Sequence, residues 1–222
     1  VITRAVVVPH PPLLVPRLSP GPEPELTALR DACVAAVRRL GPVWTAVGVH
    51  EKDQVIAPGS AGTFRGYGVD ERVRLSASGT GSGLPLPALV AGWLREQAGA
   101  ESVEVRLVAA TTPPAECARL GKELTGDLLI LGDGSNRHGP RAPGSEDERA
   151  PAFDDAVAKA LANADTEALL ALDPALADAL GARGRVPWQV LAGVAGDWRA
   201  ELLYSAAPFG VGYHVAVWER GC

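Results

Sequence analysis

Two periods of hydrophobic and polar positions divide the chain into alternating elements. Residues 2–8 form a short β-branched run, the mark of a buried strand. Pro9 has no amide N–H to give to a ladder and stops it. Leu26, Leu29, Cys33, Val37 and Leu40 recur at spacings of three and four, which predicts a helix over 25–40 that Gly41 ends. Residues 43–49 predict a second strand, closed by His50. Further helices are expected over 86–97 and 114–124, and further strands over 103–108 and 128–131. Short helices are expected over 152–162, 166–172, 174–180 and 186–194, with Asp165 and Asp173 as caps. The chain closes with an antiparallel pair, 200–206 and 212–218, joined through Pro208, Phe209 and Gly210. The glycine-rich stretch 51–83 breaks any long element, and two short antiparallel strands over 63–67 and 72–77 are expected inside it. Residues 139–149, rich in Pro, Gly and charge, read as a loop.

Strands alternating with helices over 222 residues predict a single α/β domain, 1–222, long enough for a three-layer core. A net charge of −5 without a Lys/Arg block argues against nucleic acid and against an anionic membrane surface as partners. No apolar run reaches membrane-spanning length. Three cysteines, Cys33, Cys117 and Cys222, without a C-x-x-C spacing exclude a zinc ribbon and a redox pair. They suggest reduced thiols and a cytoplasmic protein.

The candidate chemistry lies where strands end. His10 follows the first strand and is stiffened by Pro9, Pro11 and Pro12. His50 ends the second strand. His138 closes the small-residue turn Gly132-Asp133-Gly134-Ser135-Asn136-Arg137 after the 128–131 strand. Parallel strands bring their carboxyl ends together, so these three imidazoles are expected to face one cleft. His214, inside the last strand, reads as a structural histidine. Two imidazoles and a carboxylate with open positions form the non-heme Fe(II) arrangement. Asp133 is the better carboxylate by position. Glu51 points away from His50 if the chain stays extended, and Asp133 reads equally well as a turn residue. A third histidine would serve as acid or base. His50-Glu51-Lys52-Asp53-Gln54 is not H-E-x-x-H, Gly132 to Ser135 lacks the G-x-S-x-G spacing, and no P-loop is present. Zinc on His10, His50 and Asp133, activating a water for hydrolysis, is a weaker alternative.

Pro9-His10-Pro11-Pro12, the strand ending at His50, the Gly-Asp-Gly-Ser-Asn-Arg-His turn, Pro187-Trp188-Gln189 and the closing 207–213 segment together resemble the class III extradiol dioxygenase B-subunit superfamily. Its relatives include the catalytic subunit of protocatechuate 4,5-dioxygenase and the Memo proteins. The resemblance implies a three-layer α/β/α sandwich around a mixed, mainly parallel sheet with an antiparallel C-terminal hairpin. It implies His10 and His50 as iron ligands and His138 as the acid/base residue, while Asp133 remains the metal-ligand candidate by its position alone. The reaction implied is O2-dependent ring opening of a small catecholic aromatic, in a protein that forms a homo-oligomer. One departure stands out. The dioxygenases place a third-ligand Glu shortly before the segment matching Pro187-Trp188, where this chain has Arg183 and Arg185 and no carboxylate. Either Asp133 or Glu51 substitutes for it, or the pocket holds no metal. In the second case the chain is a binding module of the Memo type, with an arginine free to take an anionic ligand.

Overall fold

The computed structural model describes residues 2–221; Cys222 lies outside them. In chain order the elements are β1 (Arg4–Val8), α1 (Pro24–Val37), β2 (Val43–His50), β3 (Gln54–Ile56), β4 (Ala61–Thr63), β5 (Arg72–Arg74), α2 (Leu86–Ala98), β6 (Ser102–Ala109), α3 (Pro114–Glu123) and β7 (Asp127–Leu131). After a long loop come α4 (Ala150–Ala162), α5 (Thr166–Leu170), α6 (Pro174–Ala179), α7 (Arg185–Ala192), β8 (Trp198–Ala206) and β9 (Tyr213–Arg220).

Seven strands form one sheet in the order β3-β6-β2-β7-β1-β9-β8, and β4 pairs with β5 outside it. The four central strands, β6, β2, β7 and β1, are parallel. β3 closes one side antiparallel, and the β9-β8 hairpin closes the other. The apolar alternation of each strand feeds two cores. Val6, Val8, Ala46, Leu129 and Val215 meet α1 and α2 on one face. Ala5, Val7, Val47, Ile130 and Ala216 meet α3, α4, α5 and α7 on the other. The result is a three-layer α/β/α sandwich with a C-terminal hairpin, as the sequence implies. No helix of the described residues is long and apolar enough to cross a membrane.

The caps fall where expected: Asp165 accepts from the Ala168 N–H at 2.9 Å and Asp173 from the Ala175 N–H at 2.9 Å. Cys33 and Cys117 are free and buried in helices. One expected strand is corrected. Residues 63–67 are extended only as far as Thr63, and Phe64–Tyr67 wind into a 3-10 turn. The Thr63 hydroxyl accepts from the Arg65 N–H at 3.2 Å and so caps the turn. Gly68, at φ 102°, ends it in a left-handed conformation that a side chain would resist. The edge strand β3 has no counterpart in the sequence reading, because three residues are too few to show a period.

The register fixes the functional edge. Val8 pairs with Leu131, Val47 with Ile130, and His50 with Ala109, so the central parallel strands end nearly level. The antiparallel β9 begins at that same edge with Tyr213 and His214, because its register with β1 runs through Val7↔Ala216.

Candidate functional site

His10 and His50 come together. Both line a cavity of about 350 Å³ whose wall also includes Glu51, Tyr67, Pro87 and Arg183. Pro9 ends β1 one residue early, which turns His10 out of the ladder. Gly48 lets β2 lie against the start of α2, since a Cβ there would meet the Pro87 ring at 2.7 Å. His10 is 7% exposed, and its backbone N–H donates to Asp133 Oδ1 at 2.8 Å. Its ring Nδ1 stands 3.6 Å from the same oxygen, beyond hydrogen-bond reach. The Nδ1 atoms of His10 and His50 are both buried without a hydrogen-bond partner. Buried polar atoms are nearly always paired, so two such orphans at one cavity need an explanation.

The two arginines differ. Arg185 is buried at 6% exposure. Its guanidinium donates to the carbonyls of Thr112 at 2.5 Å and Ala110 at 2.7 Å, and to Gln189 Oε1 at 3.2 Å. Burial lowers its pKa. It ties α7 to the loop after β6. Arg183 is exposed on the wall of the His10–His50 cavity, with no carboxylate within 4 Å among the described residues.

His138 is not among the residues that line the His10–His50 cavity. It lines a separate cavity of about 210 Å³ with Asp154, Ser205, Gly212 and His214. Its Nε2 is 2.5 Å from Asp154 Oδ2. Asp154 belongs to α4, in the layer opposite α2. The same carboxylate accepts from the Ser135 N–H at 3.0 Å through Oδ2 and lies 3.1 Å from His214 Nε2 through Oδ1. Beyond it, His214 Nδ1 is 2.9 Å from Ser205 Oγ. The glycines of the Gly132-Asp133-Gly134-Ser135 turn now have a cause. A Cβ at Gly134 or at Gly212 would collide with the Asp154 carboxylate, so both positions must be bare for it to enter. The two strand-end turns are stitched together there, Gly134 N–H to Gly212 O at 2.7 Å and Gly212 N–H to Ser135 O at 2.8 Å.

Sequence reasoning missed Asp154 and Ser205, and it took His214 alone. A signal for Asp154 exists. The buried stripe of α4 is Ala150, Phe153, Asp154, Val157, Ala160 and Leu161, so one carboxylate occupies an apolar face.

The sheet order, the strand-end histidines and the closing hairpin define a three-layer α/β protein with candidate polar chemistry at one edge of its sheet. The family model for the catalytic LigB subunit of aromatic ring-opening dioxygenase matches residues 94–216, more than half the chain. The chain belongs to that family. Asp133, His138, Arg183 and His214 fall inside the matched residues, while His10 and His50 precede them. The crystal structure of an uncharacterized protein from Escherichia coli has the same fold, with a TM-score of 0.62 at 13% identity over 98% of this chain and 99% of that one. No curated protein matches the chain.

The family implies Fe(II), and the donor set can be tested against it. A facial triad needs two imidazoles and an anionic third donor. His10 and His50 supply the imidazoles. Asp133 is engaged through Oδ1 with the His10 amide, and Arg183 brings positive charge to the cavity. Among the described residues no group of three His, Cys, Asp or Glu side chains is placed to hold a metal ion. The two unpartnered imidazole nitrogens suit a metal, but the third, anionic donor is not preplaced beside them: Asp133 is held by the His10 amide, and Glu51 lines the cavity without completing a triad among the described residues.

Proposed function

We propose that the His10–His50 cavity is the working site and that it binds a small acidic aromatic, a catechol or a hydroxybenzoate, without a resident metal. The observation that carries this reading is the gathering, at one cavity of aromatic-ring size, of two imidazoles and an unpaired guanidinium. Arg183 takes the acidic group, and its planar fork suits a carboxylate. Glu51 accepts from a ring hydroxyl. Tyr67, 45% exposed on the same wall, offers its face to the ring. Membership of the ring-opening dioxygenase family supports an aromatic ligand.

A second reading is O2-dependent ring cleavage at Fe(II) held by His10, His50 and Asp133, with His138 as acid/base residue. The orphaned imidazole nitrogens and the family favour it. It requires Asp133 to turn from the His10 amide and His138 to leave Asp154.

One experiment separates the two. Chelator-dialysed protein is titrated anaerobically with a panel of catechols and hydroxybenzoates by calorimetry, then again after Fe(II) is added, and O2 uptake follows. The first reading expects binding that chelator does not change and that Arg183→Ala weakens by about tenfold, the worth of one charged contact. Binding seen only with Fe(II), followed by O2 uptake, would establish the second reading instead. No binding in either condition would remove both.

A further inference from the structure

The chain Ser205–His214–Asp154–His138 lies outside the lining of the His10–His50 cavity, and of its four members only His138 enters the second reading above. We propose that it is a second site, in which Ser205 is a nucleophile toward small acyl esters. A carboxylate only accepts, so Asp154 Oδ1 at 3.1 Å from His214 Nε2 fixes the proton on that nitrogen. Nδ1 is then left as an acceptor, and it faces Ser205 Oγ at 2.9 Å. This is the logic of an activated serine: nucleophile, base, and a carboxylate that sets the base's tautomer. The ring is used the other way round from the protease triad, Nδ1 toward serine and Nε2 toward aspartate, which leaves the proton path unchanged. His138 Nε2 and the Ser135 N–H hold Asp154 Oδ2 from the far side, so the carboxylate cannot swing away.

Burial is graded as the chemistry requires. His214 is 1% exposed and Asp154 5%, while Ser205 is exposed on the cavity wall. β8 is the last strand of the sheet, so its outward N–H groups are free of the ladder beside Ser205. They could polarise a carbonyl. In the reaction, Ser205 Oγ bonds to the acyl carbon as its proton passes to His214 Nδ1. The C–O bond to the alcohol then breaks, and that alcohol leaves with the proton from Nδ1. Water, deprotonated by the same nitrogen, releases the acid and restores the serine. The cavity of about 210 Å³ limits the acyl group to a short one.

The test is covalent. Full-length protein is treated with a fluorophosphonate probe, and the adduct is mapped by peptide mass spectrometry. Labelling confined to Ser205, abolished in Ser205→Ala and absent from urea-unfolded protein, is the expected result. His214→Gln should slow labelling by about 10²-fold or more, the usual worth of a general base. Absence of a Ser205 adduct on the native protein overturns the proposal. So does equal labelling of native and unfolded protein, which needs no variant to fold. A p-nitrophenyl acetate assay then reads turnover, expected in the wild type and lost in Ser205→Ala.

Discussion

Asp154 can be removed in two ways that should separate cleanly. In Asp154→Ala, three donors lose their acceptor. Ser135 is 0% exposed and His214 1%, so neither can turn to water. A buried donor left unsatisfied costs about 1–3 kcal/mol, which gives about 4 kcal/mol for the two. The His138 side chain is 15% exposed and recovers its bond from solvent. Losing a buried carboxylate also removes its own desolvation cost, which reduces the net loss to about 3 kcal/mol. For a chain of this length that lowers Tm by about 6–12 °C. Asp154→Asn keeps the shape. Its Oδ1 can still accept from Ser135 and His138, while its amide donates to His214 Nε2. His214 must then carry its proton on Nδ1 and donate to Ser205. Every bond survives with one tautomer reversed, so stability should fall by about 1 kcal/mol or less. Urea unfolding followed by tryptophan fluorescence measures both variants, since Trp188 packs edge-on to His214 with ring centroids 6.0 Å apart. Equal losses in the two variants, or an Ala variant within about 1 kcal/mol of wild type, would refute the reasoning. The Asn variant carries a further expectation: a stable protein in which fluorophosphonate labelling of Ser205 is lost.

Other expectations follow from the same geometry. Gly134→Ala and Gly212→Ala drive a methyl into the Asp154 carboxylate and should each cost about 3 kcal/mol or more in urea unfolding, whereas Gly59→Ala, with open space around it, should lie within about 0.5 kcal/mol of wild type. Arg185→Ala removes three hydrogen bonds, two of them buried, and should cost about 3 kcal/mol, while Arg183→Ala should leave Tm unchanged and weaken only ligand binding. Burial pushes the Cys117 thiol up from 9.0 to about 11, so above pH 9 the unfolded chain sheds this proton while the folded chain keeps it. Stability should therefore fall as pH rises from about 9 to about 11, by about 2 kcal/mol for this group, and Cys117→Ala should flatten that part of the curve. Burial shifts Cys33 and Tyr213 in the same direction, so the slope should not vanish altogether.

What the sequence made legible is what short-range pattern controls. Pro9 ends a β-branched run, so His10 had to stand at a strand end. The apolar 128–131 run followed by Gly-Asp-Gly had to stop at the same level, because parallel neighbours share a register. With β2 ending at His50 beside that same central strand, His10 and His50 reach one edge of the sheet. The position of His138 did not follow, because a six-residue turn of small residues can deliver its last side chain to either layer. The bare Cβ positions at Gly134 and Gly212 that admit Asp154 belong to tertiary contact, and no period along the chain reports them.

Ser205 shows the limit most sharply. Along β8, Trp198, Ala200 and Leu202 pack on the face that carries α4, and alternation continued from them would put Tyr204 there and Ser205 on the opposite face. The structure has a register shift between Leu202 and Tyr204, so that Leu203 and Tyr204 both pack toward α1. One extra residue reverses the phase of everything after it. Ser205 then stands opposite His214, and with straight pairing Tyr204 would have stood there instead. A bulge that changes phase leaves no trace in a period-2 pattern except its failure, and the Leu202-Leu203 doublet is that failure. The serine, its base and the base's carboxylate thus depend on one irregularity in an edge strand, a place where a bulge also protects the sheet from pairing with another chain.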